Sequence, residues 1–232
     1  MRLYLAGVIH KDPLGRDAIL DWLKEIEEIT LPDFVAVEWS EAVFELLRAE
    51  RPCLYSQLKE PHPQAEVEVI QSLANSLAYE GDAYTAVFPD ADVIWLDDGR
   101  VCFNKGHQLT DEEIARIILG GVKRDYEGWL LERYSAPSSE IFQPPQDFLR
   151  QKRRELWDSY TNDKPSNPTE EDLERDTKFA DLILSREQEN GWGVVVTGAI
   201  HTKDEQGRMG YLLRQAGQDC NINILSPSNK TT

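Results

Sequence analysis

The sequence predicts an α/β fold in which helices flank a mainly parallel central sheet. Short, continuous apolar runs indicate buried strands, because strands that face water on one side would alternate apolar and polar residues. Amphipathic segments of helical period follow these runs, and the order strand–helix–strand–helix is typical of a parallel sheet. The 232 residues fit a single domain that spans the whole chain, 1–232.

The individual elements follow from the same two patterns. The predicted strands are, in chain order, RLYLAGVI, DFVAVEW, ADVIWLDD, WGVVVTGAI and CNINIL. The predicted helices are RDAILDWLKEIEEI, SEAVFELLRAER, AEVEVIQSLANSLAYEGDAYTAVF, TDEEIARIILGGVKR, PTEEDLERDTKFADLILSREQEN and DEQGRMGYLLRQAG. Ser40 and Thr110 are expected N-caps, and Glu113 would complete a capping box with Thr110. We expect the second helix to end near Pro52 and the third to break near Gly81.

An irregular helical insertion is predicted over 125–170, which contains the Pro-, Ser- and Asn-rich runs SAPSSEIFQPPQ and TNDKPSNPTEED. One short helix is expected within it, near 147–158. Long insertions of this kind often serve as lids or binding loops. A solvated surface loop without such a role is an alternative of equal weight.

The composition excludes several classes of partner. A net charge of −17 argues against nucleic acid and against an anionic membrane surface, since both require a basic face. The acidity favours solubility, with attraction of a cation as the lesser alternative. No apolar run approaches the roughly 18 residues of a membrane span. The three cysteines form no CxxC pair, which suits a reducing compartment, so we expect a soluble, cytoplasmic protein.

Ionisable residues follow four of the predicted strands at their carboxyl ends. They are His10, Glu38, Asp97 and His201, with Asp98 beside Asp97. The carboxyl ends of parallel strands share one edge of the sheet, and ligands bind in the crevice there. His10 and His201 belong to distant parts of the chain, yet the strand order makes them plausible neighbours in one site.

Two chemistries suit this set of residues. His10, Glu38 and His201 can hold a divalent zinc, manganese, cobalt or iron ion, which lowers the pKa of a bound water. Without a metal, the same residues can supply a general base oriented by a carboxylate. The alternatives are ordinary loop histidines, a helix N-terminal acid at Glu38 and a turn at Asp97.

Two glycines stand three residues before the two histidines, in the matched stretches GVIH and GAIH. Gly7 and Gly198 lack side chains and would let a substrate or a neighbouring backbone approach closely. Arg175 lies inside an amphipathic helix, where the pattern alone favours a solvated charge.

The paired stretches, with VAVEW after the first, resemble the superfamily of TraB, PrgY, TIKI and GumN-like proteins, erythromycin esterases and ChaN-like haem-binding lipoproteins. The stretches PDFVAVEW, VIWLDD, ERDTKFADLI and TGAIHTKDEQGRMGYLLRQAG are similar to further motifs of that superfamily. These similarities run from residue 3 to about residue 217 and leave the insertion uncovered.

The resemblance implies an α/β fold with the site at the strand ends. Asp97, which we expect to bind substrate, has less weight in it than the other residues. It makes Arg175 an anchor for a carboxylate or an oxyanion. The spans, anchors and lipoprotein signals of several such proteins have no counterpart in this sequence, so we expect a stand-alone member. The residues that the resemblance singles out are Gly7, His10, Glu38, Arg175, Gly198 and His201.

Two functions follow as expectations. The first is a hydrolase that cuts an amide or ester bond of a small molecule or peptide, with a divalent metal or without one. The second is a non-catalytic module that binds a peptide, haem or another small ligand, or that signals. A homo-oligomer is compatible with both.

Overall fold

A computed structural model describes residues 1–26, 30–96, 109–135, 143–162, 168–186 and 191–227. Its strands are β1 (Arg2–Val8), β2 (Phe34–Val37), β3 (Val93–Trp95), β4 (Trp192–Gly198) and β5 (Asp219–Ile224). Over these residues the sheet has the order β3-β2-β4-β1-β5, and every neighbouring pair of strands is parallel. The α/β fold with a parallel central sheet is thus confirmed.

The helices of the described residues alternate with these strands or follow one another in a separate layer. They are α1 (Gly15–Lys24), α2 (Glu41–Ala49), α3 (Arg51–Lys59), α4 (Val67–Asn75), α5 (Tyr79–Val87), α6 (Asp111–Tyr134), α7 (Pro145–Asn162), α8 (Glu170–Leu184) and α9 (Met209–Gln215). None of them is both long enough and apolar enough to cross a membrane.

Helices cover both sides of the sheet, because alternate residues of a strand point to opposite faces. One face packs against α1 and α5 through buried side chains that include Trp22, Val37 and Val196. The other face packs against α8 and α9, where Val195 and Phe179 belong to one buried cluster. Burial on both faces explains why β1, β2 and β4 are largely continuous apolar runs, whereas the edge strand β5 alternates apolar and polar residues.

A second core lies among helices α2, α3, α4, α6 and α7, and we call it the helical core. Its buried side chains include Leu47, Leu58, Leu73, Leu130 and Leu149. This layer packs helix on helix, and its helices come from the chain on both sides of β3.

Two predicted helix starts are confirmed. The Ser40 hydroxyl accepts a hydrogen bond from the backbone N–H of Val43 at 3.1 Å, which caps α2. Thr110 and Glu113 form the capping box of α6, in which each side chain accepts from the other residue's backbone N–H.

Within 125–170 the structure has a helix where one is expected, near 147–158, but the helical segments are longer than predicted. Residues up to Tyr134 continue α6, and α7 spans Pro145–Asn162, so it exceeds the short helix expected near 147–158. Both helices bury apolar residues in the helical core, among them Tyr126 and Phe148, and this packing outweighs the local Pro and Ser signals. Parts of the two Pro-rich runs lie outside the described residues, and a lid or loop role for the insertion stays a prediction.

One predicted helix boundary is confirmed and another is corrected. The second helix, α2, ends at Ala49, close to Pro52 as predicted, and Pro52 itself lies in the first turn of α3, where its missing N–H is not needed. The long helix predicted over 65–88 breaks at Ala78, whose φ of 53° is left-handed, and not at Gly81. Arg51 stabilises this break by donating from Nη2 to the carbonyl oxygens of Leu77 and Ala78, at 2.6 and 2.9 Å.

Candidate functional site

The structure brings His10, Glu38 and His201 together at the carboxyl edge of the sheet. Each residue follows a strand, respectively β1, β2 and β4, and β4 lies between the other two. The side chains converge because parallel neighbouring strands end on the same side. Arg175, which lies on α8, joins them from outside the sheet.

Glu38 is the centre of the cluster. Its Oε2 lies 3.0 Å from Nε2 of His10 and accepts the backbone N–H of Gly198 at 2.5 Å. Its Oε1 accepts from Nη2 of Arg175 at 2.6 Å and lies 3.6 Å from Nε2 of His201. One buried carboxylate therefore faces three side chains that can carry positive charge.

Each histidine is held from behind by a second carboxylate. Nδ1 of His10 lies 2.7 Å from Oε1 of Glu80, on α5. Nδ1 of His201 lies 2.8 Å from Oδ1 of Asp176, on α8. These contacts fix both rings with Nε2 turned towards Glu38, which is how a second layer of hydrogen bonds orients a functional imidazole.

Asp176 is itself neutralised by a buried cation. Its Oδ2 accepts from Nη1 of Arg208 at 3.0 Å, and its Oδ1 also accepts the backbone N–H of Met209 at 3.2 Å. Both Asp176 and Arg208 are almost completely buried. A buried pair of this kind holds the position of His201 rigidly, since movement would leave a charge without a partner.

The charges around the histidines keep both of them protonated. Burial alone would lower the pKa of His10, but the charge of Glu38 and the hydrogen bonds to Glu38 and Glu80 outweigh it and raise the pKa to about 10. Burial likewise opposes the charge of Glu38 and the hydrogen bond to Asp176 at His201, whose pKa rises to about 9. At neutral pH both rings are imidazolium ions.

The same charges act in the opposite direction on Glu38. Burial would raise the pKa of this carboxyl group, but the positive charges of His10, Arg175 and His201 hold its pKa well below the usual range. The resting cluster is therefore an ionised carboxylate surrounded by three cations.

Arg175 departs from the solvated charge that its helical pattern favours. Besides the contact with Glu38, its Nη1 lies 3.3 Å from Nε2 of His201, and its guanidinium lies 5.1 Å from the ring centre of Phe179. The structure thus places Arg175 in the cluster, as the superfamily resemblance implies.

The two glycines have different surroundings. A Cβ atom on Gly198 would lie 3.1 Å from Oε2 of Glu38 and 3.3 Å from Nε2 of His10, so this glycine borders the cluster directly. A Cβ atom on Gly7 would instead meet Oγ1 of Thr202 at 2.6 Å and Cδ1 of Ile224 at 2.7 Å. Gly7 allows close packing of neighbouring chain segments, and these contacts give no support to its predicted role in substrate binding.

Asp97 and Asp98 lie outside the described residues, so the predicted role of Asp97 in substrate binding stays a prediction. The strand before them, β3, is at the edge of the described sheet, beside β2.

Sequence reasoning missed Glu80 and Asp176. Asp176 had a detectable signal: it stands three and seven residues before the core residues Phe179 and Ile183, on the buried stripe of α8. A carboxylate in such a stripe needs a buried partner. Glu80 had no comparable signal, because the break at Ala78 that directs α5 is set by tertiary contacts of Arg51.

The cluster fits a divalent metal poorly, although its donor types are suitable. Arg175 hydrogen-bonds Glu38 and contacts Nε2 of His201, so a guanidinium stands where two of the three expected ligands would coordinate. A divalent cation there would lie within a few ångströms of this positive charge. Among the described residues, no group of three His, Cys, Asp or Glu side chains is arranged to hold a metal ion.

No protein-family model matches the chain, and searches of curated proteins and of solved structures found no match. The resemblance of the motifs to the TraB and erythromycin esterase superfamily therefore stays a prediction.

Proposed function

We propose that this protein hydrolyses an ester or amide bond of a small molecule or peptide, with His10, Glu38, Arg175 and His201 as its catalytic groups. One observation carries the proposal: two histidines, each held at Nδ1 by its own carboxylate, turn Nε2 towards the same glutamate. Protein structures hold imidazoles in this way where a proton must be moved at a defined atom.

The proposed reaction adds water to a carbonyl carbon and releases an alcohol or amine. Glu38 accepts a proton of the water as its oxygen bonds to the carbonyl carbon, and His10 donates its Nε2 proton to the leaving group as the bond from that group to the carbon breaks. The carboxylic acid product then leaves, and the proton on Glu38 returns to Nε2 of His10, 3.0 Å from Oε2 of Glu38. Loss of the positive charge on His10 raises the pKa of Glu38, because that charge contributes strongly to lowering it. Glu38 and His10 therefore titrate as a coupled pair, and return of the proton from Glu38 to His10 restores the resting charges.

Arg175 and His201 stabilise negative charge in this scheme. Both are cationic, and both lie beside Oε1 of Glu38 at 2.6 and 3.6 Å. Fixed cations in a dry site stabilise the oxyanion that forms on the carbonyl oxygen, and they do so without reorganising. The water-poor surroundings of Glu38 strengthen this effect.

A panel of esters and amides tests the proposal with purified protein and two matched variants. Glu38→Gln keeps the shape of the central side chain but removes its charge, and we expect at least a hundredfold loss of turnover. Glu45→Gln makes the same change on the exposed face of α2 and should leave turnover unchanged. Equal turnover by Glu38→Gln and the unmodified protein would refute the proposal.

Non-catalytic binding is the second candidate, and one observation favours it. Glu38 already accepts from three groups, and both ring nitrogens of His10 face carboxylates, so the hydrogen-bonding groups are largely satisfied. Such a network can serve as a rigid anion site for a peptide, haem or another small ligand. Tight binding of a ligand that is recovered unchanged would favour this candidate over hydrolysis.

We also propose membership of the superfamily named above and action in the cytoplasm. The convergence of the GVIH and GAIH histidines with Glu38 and Arg175 supports the first. The free thiols of Cys53 and Cys220 support a reducing compartment. Fractionation of cells that produce the protein tests the location, and recovery outside the cytoplasmic fraction would refute it.

A further inference from the structure

Solvent reaches the cluster mainly at His10. The side chain of His10 is 32% exposed, whereas those of Glu38 and Arg175 are 7% and 12% exposed. The side chain of His201 is 4% exposed. A ligand that meets the buried part of the cluster must therefore pass along the imidazole of His10.

Trp39 stands beside this point of access. It follows Glu38 directly, and its side chain is half-buried. The ring centres of Trp39 and His10 lie 4.9 Å apart, and the ring planes meet at 62°. The indole thus forms a flat, apolar wall next to the exposed imidazole.

The indole is held in place by the carboxylate that also orients His10. Its Nε1–H donates to Oε2 of Glu80 at 3.2 Å, while Oε1 of Glu80 lies 2.7 Å from Nδ1 of His10. Rotation of the indole would leave a buried carboxylate oxygen without this donor, which is costly. The wall is therefore preorganised, and an apolar ligand gains contact without a cost for ordering it.

We propose that Trp39 determines specificity and that the site takes ligands with an aromatic or flat apolar group next to an anionic or carbonyl group. The cations of the cluster receive the polar end, and the indole receives the apolar group by stacking or edge contact. The inference rests on the proposed function only in naming this ligand a substrate.

A packing role for Trp39 makes a different prediction. The indole also packs against the helical core, so its loss would lower stability even if it touched no ligand. Stability alone cannot separate the two roles, whereas a preference between two ligands that differ only in their apolar part can.

The test compares the dissociation constants of 2-naphthoate and acetate, followed by NMR shifts of the histidine ring protons in the full-length protein. Both probes carry one carboxylate, so their ratio isolates the naphthyl group. We expect the unmodified protein to bind 2-naphthoate at least about tenfold more tightly, the equivalent of ~1.4 kcal/mol. Trp39→Ala should remove this preference, and Trp39→Phe, which keeps an aromatic face but no N–H, should keep most of it.

Trp129→Ala is the matched control. Trp129 is also half-buried and packs against the helical core, but its ring contact is with Tyr126. The control should keep the full preference for 2-naphthoate. The inference is overturned if the unmodified protein binds both probes equally or does not bind 2-naphthoate, or if Trp39→Ala retains the preference.

The outcomes also separate this inference from the proposed function, because binding needs no turnover. A Trp39-dependent preference in a protein that cuts no ester or amide would support the inference and count against hydrolysis. Turnover that depends on Glu38, without any preference for 2-naphthoate, would support hydrolysis and overturn the inference.

Discussion

Replacing Asp176 with Asn should destabilise the protein strongly while leaving its shape almost unchanged. Asn has nearly the volume of Asp, so the substitution creates no cavity. It removes one negative charge from a side chain that is completely buried. The partners that lose this charge are His201, at 2.8 Å, and Arg208, at 3.0 Å.

The magnitude follows from the buried ion pair. The side chain of Arg208 is 2% exposed. Among the described residues, Asp176 is the carboxylate that forms a salt bridge with it. Removing one partner of a buried pair costs about 3–5 kcal/mol, because the other charge stays buried without compensation. The free energy of unfolding of a folded domain is typically only about 5–15 kcal/mol, so the substitution would remove a large fraction of it. Since Asp176 also helps to raise the pKa of His201, that pKa should fall from about 9 towards its ordinary value.

Urea denaturation at neutral pH measures the free energy of unfolding, and histidine NMR measures the pKa. Asp181→Asn is the matched control, because it removes the same charge from an exposed residue of α8. The control should alter stability by no more than about 0.5 kcal/mol. A loss below about 1 kcal/mol in Asp176→Asn, or an unchanged pKa of His201, would refute this reasoning.

Three further predictions concern the cluster itself. Gly198→Ala should lower turnover about 100-fold, since its methyl group would displace Glu38 or His10, whereas Gly128→Ala, which meets nothing within 4 Å, should leave turnover unchanged. Because the pKa values of His10 and His201 are raised in the folded protein, protonation of the two rings stabilises the fold. This stabilisation is complete below pH 6.5 and is lost as pH rises through 9 to 10, so the urea concentration at the midpoint of unfolding should fall over that rise. A midpoint that does not change with pH would contradict this. Elemental analysis of protein purified without chelators should find no stoichiometric transition metal. A stoichiometric metal that is lost in Glu38→Gln would contradict the conclusion that a divalent metal fits poorly beside Arg175.

The sheet and the ends of its strands could be predicted because their signals are local. The buried apolar runs marked the strands, and polar residues directly after them identified His10, Glu38 and His201. A parallel sheet carries such residues to one edge whatever the details of its helices. The grouping of these three residues could therefore be predicted from the local sequence pattern and the parallel arrangement of the strands.

The helical layer and the second ring of charges could not be predicted in the same way. The extension of α6 to Tyr134 depends on burial against other helices, and local Pro and Ser residues nearby suggested irregular structure. Glu80 reaches His10 only because the chain turns at Ala78, where Arg51 binds the freed carbonyl groups. Such contacts join distant segments and leave no periodic signal in the sequence.

His10 and His201 share Glu38 and are expected to titrate as one coupled site. The most direct measurement is an NMR titration of the ring protons of both histidines in the unmodified protein and in Glu38→Gln. We predict pKa values near 10 and 9 in the unmodified protein, and a fall of both values in the variant. If either histidine titrates near its ordinary pKa in the unmodified protein, or only one responds to Glu38→Gln, the two residues do not form one site.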